Sequence, residues 1–227
     1  MSPIRRENAT KNGEKPGCKT DDLYLIHGYL RRTLTRIPEL IDAADPKDKA
    51  RVELIARHIE EVAHQLIHHH LHEDAVMWER LIQRAPEATE DVLRMKEHHQ
   101  HIHKKAEDVI DAVSEWKMNP SFKESLMHKV QDIREEALAH LDDEEKTIKP
   151  LAAKHLTQSE WNHMAEMAME EEKDSPRGLF IIGYLYHCAP TEEVRQEFWK
   201  ALPLPAKILY HLTTKKKFEK EWKQLYS

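Results

Sequence analysis

Apolar residues recur through the first two-thirds of the chain at three- and four-residue spacing, the period of a helix with one buried face. The stripes run Leu23, His27, Leu30, Leu34, Ile37; then Ile55, Ile59, Val62, Leu66, His69, Glu73, Met77; then Met95, His99, Ile102, Ala106, Val109, Val113; and last Leu126, Val130, Ile133, Ala137, His140, Glu144, Ile148, Leu151. Helix-start signals mark their boundaries. Asp21 or Asp22 stands before the first stripe, Asp45-Pro46 before the second, Pro86 before the third and Asn119-Pro120 before the fourth. Pro38 would kink the first helix. The second would run roughly 38 residues, about 57 Å, with room for a break within it. Four amphipathic helices with short connections predict an all-α fold, an up-down-up-down four-helix bundle over residues 21–155.

Residues 1–20 read as a flexible lead. Thr157-x-x-Glu160 is a capping box that opens a fifth helix through Met169. Beyond Ser175-Pro176 the chain turns apolar and aromatic, and Pro190, Pro203 and Pro205 divide it into short helices. Residues 156–227 are therefore expected to form a C-terminal helical extension packed on the bundle.

Within the stripes, polar residues interrupt the apolar pattern at matching places. His69/Glu73 and His140/Glu144 are i, i+4 pairs, so each aims an imidazole and a carboxylate the same way. His99 falls between Met95, Ile102 and Ala106. His103, its i+4 partner, sits nearer the edge of that face. His27 lies among Leu23, Leu30 and Leu34. His64, His68 and His72 form a ladder on the opposite side of the second helix, read as a solvated face able to chelate a surface metal. Glu145 points away, toward solvent or a lysine. A buried, unpaired carboxylate costs several kcal/mol, roughly, and the apolar stripes supply no partner. Two metal ions enclosed by these side chains would satisfy the whole set. Mixed imidazole and carboxylate donors suit iron, with manganese or zinc as possible substitutes. Tyr24, one turn before His27, is a candidate to donate a hydrogen bond to a bound oxygen species, with packing as the plainer role.

Composition narrows the classes. Of 227 residues only 5 are glycine and 33% are charged, which favours long helices. The net charge of −6, with signs mixed along the chain, argues against nucleic-acid binding. The Lys215–Lys216–Lys217 run reads as a solvated helix end. The two cysteines, Cys18 and Cys188, make no disulfide framework, and Met1 to Lys19 has no apolar core of a secretory signal, so a cytoplasmic protein is expected. Leu179 to Leu185 is too short for a transmembrane segment. Seventeen histidines are the outlying number, and most lie between His58 and His103.

The order His27, His69-His-Leu-His-Glu73, Glu97-His-His99 with His103, and His140-Leu-Asp-Asp-Glu144-Glu145 resembles the hemerythrin-like (HHE cation-binding) family over roughly Asp21 to Ala153. The tail resembles, more weakly, an extension of bacterial members. The resemblance implies two iron ions with an oxo or hydroxo bridge. Glu73 and Glu144 would bridge them, His99, His103 and His140 would hold one, and His27 and His69 the other. It implies small-molecule partners, O2, H2O2 or NO. The sequence leaves three roles open to the extension: shielding the site, forming a homodimer, or lying on a membrane surface. Oxygen carriers resemble His-x-x-x-x-Asp on the last helix, whereas this chain has His-x-x-x-Glu. Two implications stand side by side: a di-iron oxidoreductase with catalase-like or peroxide- or nitric-oxide-detoxifying activity, and a non-catalytic O2 or iron sensor or iron-handling protein.

Overall fold

A computed structural model describes residues 13–173 and 175–226. Four long helices build the bundle: α1 (Leu23–Asp42), α2 (Lys49–Val76), α4 (Thr89–Met118) and α5 (Lys123–His155), with the short α3 (Trp78–Arg84) between the second and third of them. α1 and α4 each pack against both α2 and α5. The fold is all-α, the expected four-helix bundle with further helices after it: α6 (Gln158–Lys173), α7 (Gly178–Cys188), α8 (Glu192–Ala201), α9 (Leu204–Leu209) and α10 (Lys215–Tyr226). Among the described residues no helix is long and apolar enough to cross a membrane.

The core has two apolar parts with a polar layer between them. The larger contains Leu30, Leu34, Ile59, Val62, Ile102, Ala106, Ile133 and Ala137. The smaller contains Leu23, Val76, Trp78, Met95, Ile148 and Leu156. Each long helix crosses from one to the other. α1 and α4 run from the smaller to the larger, and α2 and α5 run the opposite way. That alternation is the up-down-up-down order, and it places His27, His69, His99 and His140 at one level.

Several helix ends differ from the sequence expectation. Asp45 caps a turn through Lys47 N–H (2.9 Å), and α2 starts later, capped by Asp48, which accepts from Arg51 N–H. Asp22 sits at the start of α1, but its carboxylate accepts from the Trp161 indole (2.8 Å) and makes no side-chain cap. Pro86 and Pro120 each open a single 3-10 turn that leads into α4 and α5. The long second helix breaks at Met77, where the apolar end core takes in Met77, Trp78 and Leu81. Thr157 and Glu160 form the reciprocal capping box: Thr157 N–H donates to Glu160 (3.0 Å) and Glu160 N–H to Thr157 Oγ1 (3.2 Å).

Of the expected flexible lead, residues 1–12 lie outside the described residues. The remainder is tethered, with Gly17 N–H donating to Leu156 O (2.8 Å) and Cys18 N–H to Ala153 O (2.9 Å). The extension shares the bundle's core through Tyr184, Cys188, Phe218 and Leu225. Its polar tie is Arg177, which reaches Glu61 on α2 and Glu221 on α10, while Tyr184 OH donates to Glu221 (3.0 Å). Gly28 permits the contact of α1 with the end of α7, because a Cβ there would stand 2.8 Å from Cys188 O.

Candidate metal centre

The polar layer contains His27 from α1, His69, His70 and Glu73 from α2, His99 from α4, and His140 and Glu144 from α5. All are buried or nearly so. They form two groups, His70/His99/His140 and His27/His69/Glu73/Glu144, each with donor atoms within 4.8 Å of one another. The carboxylates connect the groups. Glu73 Oε1 lies 3.5 Å from His69 Nε2, and its Oε2 lies 3.6 Å from His99 Nε2. Glu144 Oε2 lies 3.3 Å from His27 Nε2 and 3.8 Å from His140 Nε2.

Outer carboxylates aim two of the rings. His27 Nδ1–H donates to Glu145 (2.8 Å), which also accepts from Arg31. His99 Nδ1–H donates to Asp74 (2.7 Å), which also takes the Trp78 indole N–H. Each contact fixes the tautomer and leaves the Nε2 lone pair facing the layer. Glu145 was expected to face solvent or a lysine; it is the outer partner of His27 instead, because the stagger between α1 and α5 brings the two together.

Electrostatics make this layer unfavourable without a cation. Burial, with the Glu144 charge beside it, raises the Glu73 carboxyl well above the ordinary glutamate value. Burial also works against Glu144, but His27, His69 and His140 outweigh it and hold that carboxyl low. Burial, with neighbouring imidazoles, lowers His69 and His70 well below the usual histidine range and lowers His140 to about 3. Both Glu73 oxygens, Glu144 Oε2, His99 Nε2 and both nitrogens of His70 and His140 are buried without a hydrogen-bond partner. Orphaned buried polar atoms are rare and costly, and these converge from three helices, with His27 of the fourth beside them, 3.3 Å from Glu144. The donor set fits bound metal, and the arrangement is a metal-binding one.

Six of the seven metal-site candidates from the sequence meet here: His27, His69, Glu73, His99, His140 and Glu144. His103 does not. It is 37% exposed and its Nε2 lies 3.5 Å from Glu107 on its own helix. One turn beyond His99 the inward direction belongs to Ile102 and Ala106, already inside the apolar core. His70 stands in its place. The sequence signal for His70 was the run Ile59, Val62, Leu66, His70, Glu73, which continues the three- and four-residue spacing without a gap. Adjacent residues diverge by about 100° on a helix, so His69 and His70 straddle the inward direction and face different groups.

Tyr24 is half-buried beneath Lys149, whose Nζ is 4.6 Å from its ring centroid; the outer contacts to the layer come from Glu145 and Asp74. The His64/His68/His72 ladder is not a free polar face. His68 Nδ1 and His72 Nε2 lie 2.8 and 3.1 Å from Glu171 of α6, which covers that side of α2.

The hemerythrin HHE cation binding domain matches residues 18–152, more than half of the chain. The chain belongs to the hemerythrin HHE family. An uncharacterized protein of Dictyostelium discoideum is 21% identical over 221 residues, covering 88% of this chain and 86% of the relative. That coverage reaches beyond the HHE region into the helices after it. No solved structure matches.

Proposed function

We propose that this hemerythrin HHE protein holds two iron ions and acts on O2, peroxide or nitric oxide, decomposing reactive oxygen or nitrogen species. The observation that carries the reading is the position of Glu73, whose two oxygens address the two histidine groups separately, at 3.5 Å from His69 and 3.6 Å from His99. In this proposal His70, His99 and His140 would hold one ion and His27 and His69 the other, with Glu73 and Glu144 standing between the two groups. The imidazole count is three against two, so the group of His27 and His69 would leave its ion more room for a small molecule. Iron bound there would supply redox chemistry toward oxygen species, a property of the metal.

The chain's own part is positional. Glu145 and Asp74 keep protons at His27 Nδ1 and His99 Nδ1, so the opposite nitrogens remain donors. The apolar layers on either side limit water access. Arg31 neutralises Glu145 at the surface edge, and Asp142 completes that pair.

Metal analysis and an optical spectrum of freshly purified protein test the cofactor: two irons per chain, with near-ultraviolet bands of a bridged pair, are expected. Sustained O2 evolution from hydrogen peroxide, or sustained nitric oxide consumption, supports turnover. Reversible binding of one O2 per chain with neither activity favours a second reading, a sensor. That reading draws on Gly28, which follows His27 directly and lies against the Cys188 carbonyl of the extension.

A further inference from the structure

The outer surface of the C-terminal extension has a chemistry that the metal centre does not use. Between α9 and α10 the chain makes one turn of π-helix, Tyr210–Thr214. Tyr210, Thr214, Phe218, Glu221 and Leu225 face inward at helical spacing and are buried. The opposite side is apolar at first, with Leu204 67%, Ile208 50%, Leu209 50% and Leu212 79% exposed. Leu204, Ile208 and Leu212 stand four residues apart, and the same outward line continues to Lys216, Lys220 and Lys223. A π turn widens the helix, and such turns gather at functional positions.

Charge on this surface opposes that of the whole molecule. The chain carries −6, yet Lys200 to Lys223 contains seven lysines against two glutamates. One of the two, Glu221, is turned inward to Arg57 and Arg177. Lys216, Lys217, Lys220 and Lys223 are exposed, and among the described residues they enter no ion pair; Lys215 is 4.0 Å from Glu219. An isolated apolar ridge bordered by unpaired ammonium groups matches the boundary of a bilayer, with acyl chains for the leucines and headgroup phosphates for the lysines. A second copy matches it poorly, because a two-fold contact through this patch would set lysines against lysines.

We propose that the ridge formed by Leu204, Ile208, Leu209 and Leu212, with the lysines of α10, docks the protein on an anionic phospholipid surface. The contact lies on the membrane and does not span it, in keeping with the helices of the described residues, none of which is long and apolar enough to cross. It stands independently of the metal reading.

Co-sedimentation of the full chain with vesicles tests this. One set is pure phosphatidylcholine; the other contains about one-third phosphatidylserine or phosphatidylglycerol. Binding to the anionic set alone is expected, with loss near 0.5 M salt as the charges are screened. Changing Lys216, Lys217 and Lys220 together to Ala should weaken it by roughly a hundredfold, about fivefold for each charge. Ile208→Ser with Leu212→Ser should weaken it as well, and both variants should keep wild-type helicity and metal content. Equal binding to neutral vesicles, or binding to neither set, overturns the proposal. So does a dimer in sedimentation equilibrium that the Ile208→Ser/Leu212→Ser variant dissolves, which would make the ridge a self-interface.

Discussion

The imidazoles of His70 and His99 are stacked, their centroids 4.1 Å apart and their planes 11° from parallel. His140 meets both edge-on, at 4.9 and 4.8 Å. Three rings from three helices thus form one donor group beside Glu73, and His70 belongs to it although its neighbour His69 serves the other. His70→Ala should reduce bound metal by about half and lower affinity at least tenfold, roughly, a first-sphere loss exceeding the usual outer-sphere effect. His103→Ala should leave metal content unchanged. Metal-to-protein ratios of the two variants, purified in parallel, check this; equal losses would refute the assignment.

The outer carboxylates should matter without being ligands. Glu145→Gln and Asp74→Asn keep size but weaken the hold on His27 and His99. Each should lower metal affinity roughly 10- to 100-fold. Far-UV circular dichroism should remain that of the parent. Competition with a chromogenic chelator gives the affinities.

Metal removal should cost stability. Ligands that bind only the folded state stabilise it by mass action, about 4 kcal/mol at a thousandfold excess over Kd. The stripped protein, with the carboxylates and imidazoles of the layer left facing one another, should melt several degrees lower. Its melting temperature should recover on adding ferrous iron without air. In Glu73→Gln/Glu144→Gln, where the buried acids are neutral, the difference between stripped and loaded forms should largely vanish.

His58 links the extension to α2, stacking on Tyr184 with centroids 5.2 Å apart and hydrogen-bonding Tyr226. Burial lowers its pKa to about 3. The unfolded chain takes up this proton near the ordinary value of about 6.5, so folding is opposed increasingly as pH falls below it, down to about 3. By pH 5 the penalty is about 2 kcal/mol. Denaturant titrations at pH 7.5 and 5 should therefore show His58→Gln losing about 2 kcal/mol less than the parent over that interval.

One glycine at the join between bundle and extension, and one inside the extension, leave no room for a side chain. A Cβ at Gly28 would lie 2.8 Å from Cys188 O and 3.0 Å from Pro190 Cδ, and one at Gly183 would enter the Phe218 ring at 2.6 Å. Gly28→Ala and Gly183→Ala should each cost about 1–3 kcal/mol, the usual range for overpacking. Limited proteolysis should then cut first between α6 and α8.

The four bundle helices, the positions of the polar interruptions and six of the clustered side chains were legible in the sequence, because each depends on periodicity within one helix. His69 and Glu73 share a face whatever stands opposite. Helix starts were less legible: Asp45 and Asp48 are equally good caps by residue type, and the packing of α2 selected the second. Glu145 and Asp74 were missed for a related reason, since their partners lie on other helices and no spacing along the chain records such a meeting.

By itself the sequence determined that four amphipathic helices would each turn an imidazole inward, and two of them a carboxylate, since hydrophobic spacing sets which way each side chain faces. Only the tertiary structure decided between His70 and His103, turned Glu171 onto the His68/His72 pair and covered the bundle with the extension. Those outcomes depend on the axial stagger and rotation of one helix against another, which arise from packing across the core.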